Sequence, residues 1–133
     1  MDASQSARRT VETEGAPAPI GPYSQALVAN GVLYCSGQVP LDPATGELVE
    51  GGIAQQASRC LESLEAICRA AGTELTAAAR IGIYLTDMAQ FPDVNDVYAT
   101  FFQRPFPVRT TVGVAALPKG ALVEMDATVP LSP

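Results

Sequence analysis

The chain contains no histidine. That absence removes histidine metal sites, Ser–His and Cys–His nucleophile pairs, and imidazole general bases. Its one lysine, Lys119, lies between Pro118 and Gly120 in a stretch that reads as a turn tip. A Schiff-base lysine needs a desolvated pocket to lower its pKa, which a turn tip does not supply. Positive charge is scarce altogether, because 8 basic residues against 14 acidic ones leave a net charge of −6. Arg8 and Arg9 fall in a polar N-terminal stretch, and Arg59 and Arg69 fall on one predicted helix. No basic stripe remains to neutralise a nucleic-acid backbone, so nucleic acid is a disfavoured partner. Any catalysis falls to carboxylates, hydroxyls, backbone N–H groups, arginine and water.

Long apolar runs are missing too. None approaches the roughly 20 residues that span a bilayer. The start, Met1-Asp2-Ala3-Ser4-Gln5-Ser6-Ala7-Arg8-Arg9, is polar with no apolar stretch behind it. The expectation is a cytoplasmic protein without a membrane partner. Cys35, Cys60 and Cys68 make an odd count without metal-like spacing. On one helix Cys60 and Cys68 stand about 12 Å apart, beyond the roughly 7 Å that a disulfide tolerates between Cα atoms. Three reduced, mostly buried thiols are expected, and neither a metal nor a cofactor.

What is present suits one domain. The 133 residues are 47% hydrophobic, enough for a core without staples. Residues 1–14 read as a flexible polar tail and 15–133 as a single domain, opening with an extended stretch from Gly15 to Pro22. Short strands are predicted at Ser24–Ala29 and Val32–Gly37 around Asn30-Gly31, a strong hairpin signal. Asp42-Pro43-Ala44-Thr45-Gly46 is a further turn. Ile53, Ala57, Cys60, Leu61, Leu64, Ile67, Cys68 and Ala71 recur at three and four, which predicts a helix ending at Gly72. Gln56, Arg59, Glu62, Ser63 and Arg69 fill its other face. Arg80–Thr86 alternates as a strand, and Phe91–Phe102 forms a second helix with Pro92 in its first turn. Thr110–Leu117 and Leu122–Val129 are two more strands joined at Pro118-Lys119-Gly120.

The order strand, strand, helix, strand, helix, strand, strand implies an α+β fold, a sheet with two helices on one face. Apolar side chains on both sides of the strands, as in Val123/Met125/Ala127/Val129 against Leu122, call for burial by another copy in a closed homo-oligomer.

Two residues carry the most chemical interest. Arg109 follows Phe106-Pro107 and opens a strand, so its planar guanidinium, a bidentate match for a carboxylate, sits beside a rigid apolar segment. A surface ion pair is the plainer alternative. Glu124 shares a strand face with Asp126; the pair is either a solvent-facing polar row or a base that orients water, with Asp126 the alternative base. If Pro118-Lys119-Gly120 closes a hairpin, Arg109 and Glu124 stand on the order of 20 Å apart. They can then share a small ligand only across a subunit interface. The Ser36-Gly37 strand end lacks phosphate-loop spacing but can offer an anion a backbone N–H and a hydroxyl. Tyr23 suits a core or interface contact as well as a pocket wall, and Asn95 reads as a polar helix residue.

Taken together, the sequence resembles the RidA family (YjgF, endoribonuclease L-PSP). The matching pieces are Ile20-Gly21-Pro22-Tyr23-Ser24-Gln25-Ala26, Ser36-Gly37-Gln38, Asp42-Pro43-Ala44-Thr45-Gly46-Glu47, Ala70-Ala71-Gly72, Tyr84-Leu85-Thr86-Asp87-Met88 and Phe91 through Asn95. Pro107-Val108-Arg109-Thr110-Thr111-Val112 and Leu117-Pro118-Lys119-Gly120 to Val123-Glu124 complete them. The resemblance implies a chorismate-mutase-like mixed sheet assembled as a homotrimer with three intersubunit clefts. It also implies cofactor-independent hydrolysis of 2-imino acids, such as 2-iminobutanoate and 2-iminopropanoate, to 2-oxo acids and ammonia. By that resemblance Arg109 binds the substrate carboxylate and Glu124 positions the attacking water. Tyr23, Ser36, Gly37, Asn95 and Thr111 match pocket positions. Thr111 stands where some relatives have cysteine, and Gly113 where they carry a bulkier polar residue. Gln103-Arg104-Pro105-Phe106 is shorter than in the best-known deaminases and is expected to line the cleft. The competing functions are a non-catalytic metabolite-binding or interaction trimer, and an endoribonuclease or translation inhibitor.

Overall fold

Strict alternation along the last strand decides which way the sheet faces. In a computed structural model, which describes residues 8–132, six strands form one sheet. They are β1 (Arg9–Val11), β2 (Ala26–Ala29), β3 (Val32–Gln38), β4 (Arg80–Leu85), β5 (Val108–Gly113) and β6 (Val123–Pro130). Among the described residues two α-helices, α1 (Ile53–Ala70) and α2 (Phe91–Phe101), pack with the sheet. Strand order is β1-β2-β3-β6-β4-β5. Every neighbouring pair is antiparallel except β4 and β5.

On β6, Val123, Met125, Ala127 and Val129 are buried, while Glu124, Asp126 and Thr128 point the other way. Leu85, Ile83 and Ile81 of β4 stand opposite the first three of those apolar residues. Leu61, Leu64 and Ile67 of α1 and Val94 of α2 close over this face and are almost wholly buried. Each large aliphatic side chain removed from water contributes about 1.5–3 kcal/mol. This is the expected α+β arrangement of a mixed sheet with two helices. No helix among the described residues is long and apolar enough to cross a membrane.

The local signals act as their chemistry requires. Asn30 and Gly31 both take positive φ, 51° and 76°, the two-residue hairpin turn that suits twisted strands. At the start of α1 the Gly52 N–H donates to Gln55 Oε1. Its C-terminal end closes through Thr73 N–H to the Cys68 carbonyl, with Gly72 at φ 87°. Two residues assigned to the polar face of α1 are buried instead, Gln56 and Ser63. Gln56 Oε1 accepts from Leu122 N–H at 2.8 Å, fixing the chain where β6 begins, and the Ser63 hydroxyl accepts from Arg59.

Three expectations change. Part of the predicted tail is structured: Arg9–Val11 pairs with β2 and Val11 enters the core. The rest of that tail, 1–7, lies outside the described residues. Secondly, the Pro118-Lys119-Gly120 turn does not close a hairpin. β5 pairs in parallel with β4, because α2 carries the chain back across the sheet as parallel strands require, and β6 pairs with β3 and β4. Thirdly, the open side of β6 is polar, and Leu122 precedes the strand. Apolar surface on that side comes instead from Tyr34, Val108 and Val112, exposed by 49%, 67% and 39%.

Candidate active site

Four of the predicted residues gather where β3 pairs with β6, in the middle of the sheet. Between Cys35 and Gln38 the register slips, so that Ser36 and Gly37 oppose the single residue Asp126. Such a bulge bends the strand and re-aims its side chains. The lead-in segment is clamped beside it by buried Gln25. Its Oε1 accepts from Thr13 N–H at 2.7 Å, and its Nε2 donates to the carbonyls of Thr13, Ala16 and Pro17. Tyr23 then folds back, its hydroxyl accepting from Ile20 N–H at 3.2 Å. The result is a recess of about 350 Å³ lined by Ile20, Tyr23, Ser36, Gly37, Val39, Pro118 and Glu124. Ser36 is less available to an anion than expected: its N–H donates to the Gln25 carbonyl and its hydroxyl to the Ser24 carbonyl at 2.6 Å.

Glu124 is the free carboxylate of this recess. Among the described residues it has no hydrogen-bond or ion-pair partner. Burial pushes its pKa up, and the neighbouring Asp126 charge pushes it the same way. Asp126, the alternative base, is already engaged by Arg80 at 3.1 Å and by the Tyr84 hydroxyl at 2.7 Å. A methyl group on Gly37 would overlap the Glu124 carboxylate, so the recess depends on glycine there.

Arg109, Asn95 and Thr111 form a second group on the opposite side of the sheet. Arg109 stands opposite Ile81 and Thr111 opposite Ile83, so both point toward the helix layer. The guanidinium carbon lies 5.3 Å from the Phe91 ring centre and 4.8 Å from that of Tyr98. Asn95 falls between these rings on α2, four residues after Phe91 and three before Tyr98. Arg109 pairs with no carboxylate among the described residues, which sets aside the surface ion pair. Its apolar bed is not Phe106, which is exposed and lies against Arg104. Residues Gln103 to Phe106 are all exposed. The space left at Gly113 is taken up by Met88, whose Cγ would lie 3.1 Å from an added methyl.

The two groups do not meet within one chain. β4 lies between β5 and β6, and the register puts Arg109 and Glu124 about 14 Å apart at the backbone, facing opposite sides. Sequence reasoning had separated them through a hairpin that does not exist, yet the separation itself is real. It missed Phe91 and Tyr98 as the bed of Arg109, although their seven-residue spacing on one helix face was visible.

A wider groove of about 920 Å³ runs past Glu12, Glu14 and Asp42, away from the recess that Glu124 lines. No group of three or more His, Cys, Asp or Glu residues could hold a metal ion among the described residues. Cys35, Cys60 and Cys68 are free and buried. Burial pushes the Cys60 thiol up, and the Cys68 thiol beside Cys35 pushes that one up.

Residues 13–130 match the family model described as Endoribonuclease L-PSP. A RutC family protein of Sinorhizobium fredii is 47% identical over 122 residues, covering 92% of this chain and 97% of its own. A 2-iminobutanoate/2-iminopropanoate deaminase of Bos taurus is 46% identical over 120 residues, covering 90% and 88%. The crystal structure of RidA from the Antarctic bacterium Psychrobacter superposes with a TM-score of 0.89 at 41% identity, covering 92% and 99%. The chain therefore belongs to the RidA (YjgF, endoribonuclease L-PSP) family.

Proposed function

We propose that the chain hydrolyses 2-imino acids, with 2-iminobutanoate and 2-iminopropanoate as type substrates, to 2-oxo acids and ammonia in clefts shared between copies of a homotrimer. The observation that carries this reading is the division of the candidate residues. An uncommitted arginine lies on one side of the sheet and an uncommitted carboxylate with raised pKa on the other. Each half lacks what the other supplies, and a second copy brings them together. The exposed Tyr34, Val108 and Val112 give such an assembly apolar surface to bury. Relatives named imine deaminases, at 46% identity, support the choice of substrate.

The chemistry needs few groups. Arg109 binds the substrate carboxylate with two parallel N–H donors, and Tyr23, Ser36, Gly37, Asn95 and Thr111 shape the space around the imine. Glu124 takes a proton from water as the water oxygen bonds to the imine carbon. It returns the proton to the carbinolamine nitrogen. Glu124 next removes the hydroxyl proton and passes it to the same nitrogen; the C–N bond breaks as the freed O–H electron pair closes the carbonyl, and nitrogen leaves as ammonia. A positioned base of this kind contributes about 10²–10⁴ in rate. An endoribonuclease is disfavoured by the net charge of −6 and the absence of histidine.

The test generates 2-iminobutanoate in situ with a threonine dehydratase and follows its loss with the wild type, Arg109→Ala and Glu124→Gln. Acceleration by the wild type alone is expected. No acceleration with any of several imino acids would leave a metabolite-binding trimer as the better reading.

A further inference from the structure

Among the described residues Arg109 is held without an ion pair, and the side chains that hold it are outside the set assigned above. Its guanidinium lies over Tyr98 at 4.8 Å and Phe91 at 5.3 Å. Tyr98 rests in turn on Phe102, with ring centres 4.4 Å apart. Tyr98 and Phe102 are each only 6% exposed, so the stack is rooted in the core. Phe91 and Tyr98 are two helical turns apart on one face of α2, which brings both rings under a single residue of β5. Among the described residues the Tyr98 hydroxyl is buried without a partner. What Tyr98 offers Arg109 is therefore its ring face and not a hydrogen bond.

A carboxylate partner would orient the guanidinium but also neutralise it and occupy its donors. An aromatic bed orients the plane through its quadrupole and leaves the N–H edge free. We propose that Tyr98, assisted by Phe91, is a positioning residue that aims the Arg109 guanidinium at the substrate carboxylate while leaving its charge and donors unspent. This rests on the imine-hydrolase reading and adds to it residues that act through Arg109. The stack fixes the arginine before substrate arrives, so the benefit falls on capture of the anion and not on the later proton transfers.

The experiment compares the full-length wild type with Tyr98→Phe, Tyr98→Leu, Phe91→Leu and, as a control for general loosening of α2, Val94→Ala. Imine hydrolysis gives KM and kcat, and calorimetric titration with 2-oxobutanoate gives a Kd independent of turnover. Tyr98→Leu should raise KM and Kd roughly 5- to 30-fold with kcat little changed. Phe91→Leu, whose side chain is less buried, should move both in the same direction by less. Tyr98→Phe keeps the ring face and should retain wild-type KM. Val94→Ala should lower Tm without raising KM. In an Arg109→Ala background Tyr98→Leu should add no further loss of affinity, the sign of an effect routed through the arginine.

An active wild type with unchanged KM and Kd in both leucine variants would overturn this inference and leave the function standing. So would a KM rise in Tyr98→Phe or Val94→Ala equal to that in Tyr98→Leu. A wild type that neither hydrolyses imines nor binds 2-oxobutanoate would overturn the function reading, and the inference with it.

Discussion

Gly37 and Glu124 occupy complementary space across the β3–β6 pair: a side chain on the glycine would take the position of the carboxylate. The bulge at Ser36-Gly37 brings the strand this close, and the lack of a Cβ lets Glu124 lie over it. Gly37→Ala should therefore displace the carboxylate and not unfold the chain, since the obstructed group is the far end of a flexible side chain. Hydrolysis should fall at least about tenfold with a stability change within about 1 kcal/mol. Steady-state kinetics and thermal melting check the two halves; full activity in Gly37→Ala would show that the position of Glu124 does not matter.

In the proposed hydrolysis Glu124 serves as a base only when ionised. Its pKa lies above the ordinary value, chiefly through burial and secondly through Asp126. The acidic limb of kcat/KM should therefore lie above the usual glutamate range and disappear in Glu124→Gln. Asp126→Asn removes the smaller contribution, so the limb should move toward lower pH. A pH–rate profile that stays unshifted in Asp126→Asn would remove Asp126 from this role.

The same shift predicts stability, with its sign fixed by linkage. A carboxyl that holds its proton more tightly when folded favours the folded state below its unfolded pKa. That advantage is lost as pH rises through the folded pKa. Glu124→Gln should then melt higher than the wild type at pH 7, with the difference vanishing below the ordinary value of 4.5. Melting curves at several pH values test this; a variant less stable at neutral pH would mean that the carboxylate is favourably partnered.

Arg109 and Glu124 face opposite sides of one sheet, so the proposed hydrolysis requires them from two chains. Arg109→Ala and Glu124→Gln should each be inactive alone. Unfolding and reassembling them together should restore about a quarter of wild-type activity, the statistical share of clefts that receive both intact residues in a cyclic oligomer. No recovery in verified mixed oligomers would place both residues in a single-chain site.

Local chemistry was legible from the residues themselves. Asn30-Gly31 specifies its hairpin because both positions need positive φ. The three-and-four spacing from Ile53 to Cys68 specifies α1 because only a helix puts those side chains on one face. The alternation of β6 separates Glu124 and Asp126 from the core for the same kind of reason. The motifs from Tyr23 to Glu124 named the family, which no periodicity could do.

Tertiary structure alone decided how these pieces meet. Alternation gives a strand two faces but not a neighbour, so β5 looked like the hairpin partner of β6. The preceding helix made it the parallel partner of β4, and that strand–helix–strand order was the overlooked clue. Arg9–Val11 is too short to show a period, and it became a strand only because the edge of β2 was there to pair with. Gln56 looked like a solvated glutamine until the unpaired N–H of Leu122 was placed beside it. The bed of Arg109 followed from the same cause: Phe91 and Tyr98 are far from it in sequence, and only the crossing of α2 over β5 brings their rings beneath the guanidinium.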